Sequence, residues 1–340
     1  MKKMSVALVA LIVMAVGVKA DTVTSVNVVG YMTSSVQGGV SDTYSLMSVP
    51  LTKMPVASGS VTTNTSTTIT DENANWTVGQ FNREVAGQED RGVSTFYIEV
   101  KTGLFEGRHF YIESNTSDTL TINDPGDLAS TDLDGQTYKI VPANRIRDIF
   151  GDSTSGVTLT GGSSQYVSDT ITVWNGTGWS GEIFYFTDGP AWVKIATPPV
   201  QADDMVIDRD AAMMVKRLAG QSAVGIQSVG EVSGNDQRVV LEPGLNLVGG
   251  MAAVDSELQN SGLNVLTPGA NQYDADTISD WRETGWSFDI FQFETAEGDV
   301  WVEISDPPKQ VDTNLIAAAK GYMVNNKGAT KIWVRQSPLK

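Results

Sequence analysis

One stretch of this chain is written twice. Gln165 to Phe186 (QYVSDTITVWNGTGWSGEIFYF) and Gln272 to Phe293 (QYDADTISDWRETGWSFDIFQF) agree at 13 of 22 positions at a constant offset of 107. After a two-residue insertion, Trp192 to Val215 aligns with Trp301 to Val324 at 10 of 24 positions. Further upstream, Tyr44 to Pro50 (YSLMSVP) matches the pattern of Leu245 to Met251 (LNLVGGM). A duplicated sequence builds two copies of one unit, so organisation is constrained before any element is assigned. The second copy covers residues 233–340. The first is about twice as long, and its excess lies between Pro55 and Asp148. The expected arrangement is a first module in two parts, residues 21–56 and 149–232, interrupted by an inserted domain over residues 57–148. Insertions of this kind are tolerated where chain ends lie close together at a surface.

The local pattern is strand throughout. Phe96, Ile98 and Val100 alternate with Thr95, Tyr97 and Glu99, and Phe110 and Ile112 alternate with His109, Tyr111 and Glu113. Leu120 and Ile122, then Tyr138 and Ile140, continue the period of two that marks a strand with one buried face. Glycine, asparagine and aspartate separate these runs, as at Glu106-Gly107, Asn123 to Gly126 and Asp134-Gly135. In the copies, Ile171 to Trp174, a turn at Asn175-Gly176, Ile183 to Phe186 and Trp192 to Ile195 read as an antiparallel meander. Helix is confined to single turns at Ile146 to Phe150 and Val254 to Gln259. The predicted fold class is all-β: two related sandwich- or barrel-like modules, the first interrupted by a small barrel-like insert.

Met1 to Ala20 (MKKMSVALVALIVMAVGVKA) has the form of a cleavable export signal: Lys2 and Lys3, an apolar run from Met4 to Val18, and Val18-Lys19-Ala20 before the cut. The run is shorter than the roughly 20 residues that span a bilayer. No later segment is apolar enough to cross, so the mature protein is expected to be secreted, in the periplasm, at the cell surface or outside the cell. Cysteine is absent and histidine occurs once. That excludes a cysteine nucleophile, a disulfide framework and a multi-histidine zinc site. With 40 acidic against 23 basic residues and a net charge of −17, nucleic acid is not an expected partner.

The motifs carry two resemblances. Each copy resembles the β-module of bacterial and archaeal surface proteins that opens with a G-W-N-L-I-S-x-P strand, continues with a tryptophan hairpin and ends in G-x-G-Y-W-I. The matching pieces are Gly244 to Val248, Trp281 to Trp286 and Lys320 to Val324; in the first copy they are Tyr44 to Pro50, Trp174 to Trp179 and Ala212 to Val215. The whole chain is also similar to a family of exported bacterial proteins of unknown function. The similarity rests on Asn27 to Tyr31, Asp71 to Trp76, Gly107 to Ile112, Ser114 to Leu120 and Ile149 to Gly151. These resemblances imply an exported, surface-associated protein and supply no active site.

Three kinds of chemistry are open to the residues. Trp174, Trp179, Trp281 and Trp286 could stack on the C–H faces of sugars, with duplication adding avidity; the alternative is that the paired tryptophans pack the modules. Asp203, Asp204, Asp208 and Asp210 could offer oxygen to calcium, as could Asp132 with Asp134 and Asp274 with Asp276, although none follows an EF-hand pattern. The 203–210 cluster is the one the repeat explains least, because the second copy has Ala317, Ala318 and Ala319 there. His109, on the polar face of its strand, reads as solvated, and no G-x-S-x-G elbow occurs. Gly151 to Gly156 has phosphate-loop spacing, but Val157 stands where lysine is required. Paired carboxylates of a glycosidase remain an alternative. The leading expectation is a non-enzymatic structural or surface protein without a cofactor, calcium aside. It would associate with itself or with other envelope proteins, and Asp21 to Tyr31 could add a strand to a neighbour or pair within its own module. Carbohydrate binding through the repeat tryptophans is the alternative.

Overall fold

The computed structural model describes residues 28–83, 94–123, 126–176, 178–249, 252–282, 285–287, 289–296, 298–305 and 307–340. The export-signal reading of residues 1–20 lies outside them. The chain is nearly all β. The first module contributes β1 (Val29–Val36) and β2 (Thr43–Met47). The insert follows as β3 (Ala57–Ser60), β4 (Thr63–Asn64), β5 (Thr68–Thr70), β6 (Phe96–Val100), β7 (His109–Asn115), β8 (Thr119–Ile122) and β9 (Thr137–Pro142). The first module resumes with β10 (Asn144–Arg145), the short helix α1 (Ile146–Phe150), β11 (Thr170–Val173), β12 (Ile183–Phe186), β13 (Ala191–Lys194), β14 (Val200–Gln201), β15 (Val206–Ile207), β16 (Met213–Arg217) and β17 (Val224–Glu231). The second module holds β18 (Gln237–Leu241), β19 (Gly244–Gly249), β20 (Ser256–Glu257), β21 (Thr277–Arg282), β22 (Gly285–Trp286), β23 (Ile290–Phe293), β24 (Val300–Glu303), β25 (Lys309–Gln310), β26 (Leu315–Ile316), β27 (Gly321–Asn326) and β28 (Lys331–Arg335).

The same antiparallel path is laid twice. One sheet runs β14-β13-β12-β11-β16-β2, the other β25-β24-β23-β21-β27-β19. Each is accompanied by a long ribbon, β1 with β17 and β18 with β28, and by a two-residue pair, β10 with β15 and β20 with β26. Of the segment 21–31, the described part pairs inside the chain, Val29 opposite Glu231 and Tyr31 opposite Val229. The cores repeat as well. Ile171, Ile183, Trp192, Ile207 and Val215 are buried together in the first module, and Ile278, Ile290, Trp301, Ile316 and Val324 in the second. These are positions that the repeat aligns, so duplicated packing accounts for Trp192 and Trp301. Burial of one such indole is worth several kcal/mol by area, about 25 cal/mol per Å².

The two modules meet about an approximate two-fold axis. Met47 bridges to Lys320, and Val248 bridges to Ala211. Ser48 N–H donates to Ala319 O at 2.9 Å, and Gly249 N–H to Asp210 O at 2.8 Å. Met47 and Val248 are equivalent positions, as are Ala211 and Lys320, so exchanging the copies maps each contact onto its twin. Between the sheets lie Leu46, Ala212, Met214 and Leu247, with Trp174, Trp281 and Met323 packed against them.

The insert forms one sheet, β3-β9-β6-β7-β8-β5-β4, around a core of Ile69, Phe81, Ile98, Phe110, Ile112, Leu120 and Ile140. Among the described residues neither it nor the modules close into a barrel, so of the sandwich- or barrel-like forms expected the sandwich is the one that fits. β3 and β4 are consecutive segments at opposite ends of the pairing path, and the path stays open between them. Asn144–Arg145 pairs with Val206–Ile207, and Ile146, Ile149 and Phe150 lie in the first module's core. Residues 144–150 thus pair and pack with the first module. The insert's second face is buried too. Tyr97, Val141 and Ala143 pack with Tyr111 and with Val206 of the first module. Lys139 Nζ lies 3.3 Å from both Glu99 and Glu231, and Arg209 Nη1 lies 2.9 Å from Glu99. At its tip, Glu106 reaches the second module: Asn235 Nδ2 donates to it at 2.9 Å and Lys340 Nζ lies 2.7 Å away. A side chain at Gly107 (φ +87°) would lie 2.0 Å from Asp236 O, so glycine is required for this approach. The insert thus spans both modules. Among the described residues no helix is long and apolar enough to cross a membrane.

Candidate functional site

The tryptophan hairpins are built alike in both copies. β11 runs out through Trp174, which bridges across the turn to Trp179, and β21 carries Trp281 opposite Trp286. The indoles of each pair meet edge to face, with centroids 5.6 Å apart in the first copy and 5.3 Å in the second. Trp174 and Trp281 turn inward and pack between the modules. Trp281 Nε1 donates to Tyr44 O of the other module at 3.0 Å, whereas Trp174 Nε1 is buried without a partner among the described atoms. Trp179 and Trp286 turn outward and keep 40% and 39% of their surface exposed. The four tryptophans therefore divide into two packing residues and two ledges, each ledge held upright by its inner neighbour.

Sequence reasoning missed a second exposed pair. Tyr166 and Tyr273 are each 80% exposed at aligned positions of the two copies. The signal was there, since Gln-Tyr opens both repeats, but a repeat is read first as shared packing. Neither tyrosine belongs to the core of its module.

The acidic cluster does not come together as four ligands. Asp203 accepts the Trp192 N–H at 3.2 Å and Gln201 Nε2 at 3.0 Å. Asp312 does the same for Trp301 N–H at 2.8 Å and for Gln310 in the second copy. Asp203 is thus a loop clasp that the repeat does explain. Asp204 turns to Arg145 and Arg147, 2.6 Å from each. Asp208 and Asp210 point the other way, to His109 of the insert. Elsewhere, Asp134 N–H donates to Asp132 in a turn, and Asp276 is held by Lys331 at 2.8 Å and by the N–H groups of Thr267 and Lys327.

His109 is not solvated. Only 8% of its side chain is exposed. It stacks edge-on against Tyr97 and Tyr111 at 5.6 and 5.7 Å, on the face of the insert that docks onto the first module. Its Nε2 lies 3.9 Å from Asp208 Oδ1 and its Nδ1 3.7 Å from Asp210 Oδ2. Burial, with Arg209 and Arg108 nearby, holds its pKa well below the ordinary imidazole value. The ring is therefore neutral at pH 7 and keeps a free lone pair. Burial pushes Asp210 up to about 7 against the pull of Arg209. Alternation along the strand placed His109 on the polar face correctly; it could not show that another domain covers that face. Comparison with family models, with curated proteins and with solved structures finds no match to this chain.

Proposed function

We propose that this chain is an exported, non-enzymatic protein of the cell surface or extracellular space that works by binding carbohydrate. The observation that carries the reading is the pair Trp179 and Trp286, displayed at equivalent places about the two-fold axis and 40% and 39% exposed. An indole already packed edge-on by a second indole loses little freedom when a sugar ring lies on it, so the ordering cost of binding is small. Two such ledges on one body give a polymeric ligand two points of attachment, and the second attachment is intramolecular. The resemblance to exported surface modules and the acidic composition fit the same setting. Acid side chains accept hydroxyl hydrogen bonds, and net charge keeps the protein dispersed before it meets its ligand.

Affinity electrophoresis through gels containing soluble polysaccharides (β-glucan, xylan and a galactomannan) tests the proposal. At least one polymer should retard the protein and shield its tryptophans from acrylamide quenching. The Trp179→Ala/Trp286→Ala double variant should migrate as in a plain gel while keeping its far-ultraviolet circular dichroism. Equal retardation of the double variant, or none for the native protein, returns the ledges to plain surface and leaves a purely structural role.

A further inference from the structure

The junction between the insert and the first module contains a buried nitrogen with nothing to bond. His109 Nδ1 is inaccessible and has no hydrogen-bond partner, in a side chain more than nine-tenths buried. The nearest carboxylate oxygens, at 3.7 Å from Nδ1 and 3.9 Å from Nε2, are too distant to accept a hydrogen bond. One atom from each of His109, Asp208 and Asp210 falls within 4.8 Å of the other two. Ligands held at about 2.1 Å around a tetrahedral ion stand about 3.4 Å apart. The three groups are therefore small side-chain adjustments from a common centre.

We infer that His109, Asp208 and Asp210 bind a divalent first-row transition ion, of the zinc, cobalt or manganese kind, which ties the insert to the first module. The donor set selects the class. One imidazole with two carboxylates suits these ions, whereas calcium and magnesium take shells of six or more oxygens. Asp208 has 54% of its side chain exposed, so an ion and the waters that complete its shell can enter from solvent. A cavity lined by Val49, Thr52, Tyr97, Tyr111, Asn144 and Asp208 lies at the same junction. The groups beyond the ligands are placed to hold them. Asp210 N–H donates to Asp208 Oδ1 at 3.0 Å, and Arg209 N–H to the Tyr111 hydroxyl at 3.1 Å. Arg209 sends its guanidinium to Glu99, and Arg108 lies over the Phe110 ring at 5.3 Å.

The duplication supplies an internal control. The second copy has no insert, and at the positions of Asp208, Arg209 and Asp210 it has Ala317, Ala318 and Ala319. The acid pair therefore occurs only in the copy that has an imidazole to face. This inference is independent of the carbohydrate reading, since no tryptophan ledge takes part.

Cobalt titration of the purified full-length protein, followed by visible absorption, tests it. One equivalent should bind and give ligand-field bands without thiolate charge transfer, because the chain has no cysteine. Zinc should displace the cobalt, and millimolar calcium should not. The ion should raise the Tm of the native protein. Asp208→Asn, at an exposed position, should leave circular dichroism unchanged and weaken cobalt binding about tenfold or more; His109→Gln should abolish it. The inference fails if no saturable bands appear, if folded Asp208→Asn binds cobalt as tightly as the native chain, or if calcium displaces cobalt at comparable concentration. Should His109→Gln not fold, the Asp208 variant decides alone.

Discussion

Single aspartates close the loops of this protein, with the same backbone donors in the two copies and a cation from a different position in each. Asp169 accepts the N–H groups of Thr160 and Leu218 and pairs with Arg217 at 3.0 Å. Asp276 accepts those of Thr267 and Lys327 and pairs with Lys331. Burial alone would raise the Asp276 pKa, but the Lys331 ammonium and the two N–H donors outweigh it, and the net shift is downward. A carboxyl whose pKa is lower folded than unfolded stabilises the fold fully above its unfolded value, about 3.9. That stability is lost as pH falls through the folded value. Asp276→Asn should therefore cost about 2 kcal/mol at pH 7, the scale of a hydrogen-bonded charge. Urea unfolding should show the difference between native and variant shrinking below about pH 3.5; a difference constant from pH 7 to pH 2.5 would refute this account of Asp276. At this scale the sequence was legible for some of the repeated residues and not for others. Trp192 and Trp301 could be assigned to packing from alignment alone. Asp203 was misgrouped because nearness along the chain says nothing of which way neighbouring side chains leave a turn.

Strands announce their own alternation but not the company each face keeps. β6, β7 and β9 were readable from Phe96 to Val100, His109 to Glu113 and Tyr138 to Ile140, and their apolar faces do form the insert's core. The opposite face carries Glu99 and Lys139, whose side chains are 0% and 2% exposed. A charge is buried at tolerable cost only with partners, and here they come from other segments, Glu231 on β17 and Arg209 beyond β15. No local pattern encodes such a partner, and for the same reason the setting of His109 was not legible. Lys139→Met should destabilise the protein by roughly 3–5 kcal/mol, because it leaves Glu99 and Glu231 facing each other without the ammonium between them. Adding Glu231→Gln to that variant should recover part of the loss. Denaturant midpoints for the single and double variants measure both effects, and a loss below about 1 kcal/mol for Lys139→Met would mean that water reaches the site.

At the scale of the whole molecule, one chain contains its own pseudo-dimer, with a third domain laid across both halves. The duplication and the existence of an insert were legible from the repeat offset and from the excess length of the first copy. The two-fold contact was not, because Leu46, Met214, Leu247 and Met323 look like any other strand residues. The contact is close. A Cβ on Gly321 would stand 2.4 Å from the Cβ of Ala212, its counterpart in the first copy, and 2.7 Å from Leu46 Cγ. Gly321→Ala should therefore cost about 1–3 kcal/mol by overpacking, and Ala212→Gly in the same chain should restore part of the lost stability. Scanning calorimetry of the two variants checks this coupling, and an unchanged Tm for Gly321→Ala would mean that the modules are not pressed together. The interrupted first module also bears on how the chain finds its shape. Met47 and Met213 are direct partners in one sheet, yet the whole insert lies between them. Among the described residues the insert's own strands pair only with one another, and they bring residue 57 to residue 140. Once they have done so, the loop that β2 and β16 must close is roughly half as long, which lowers its entropic cost by ~0.6 kcal/mol. The domain that splits the first module thus acts as a stitch, drawing the edges of the gap together before the sheet across it is made.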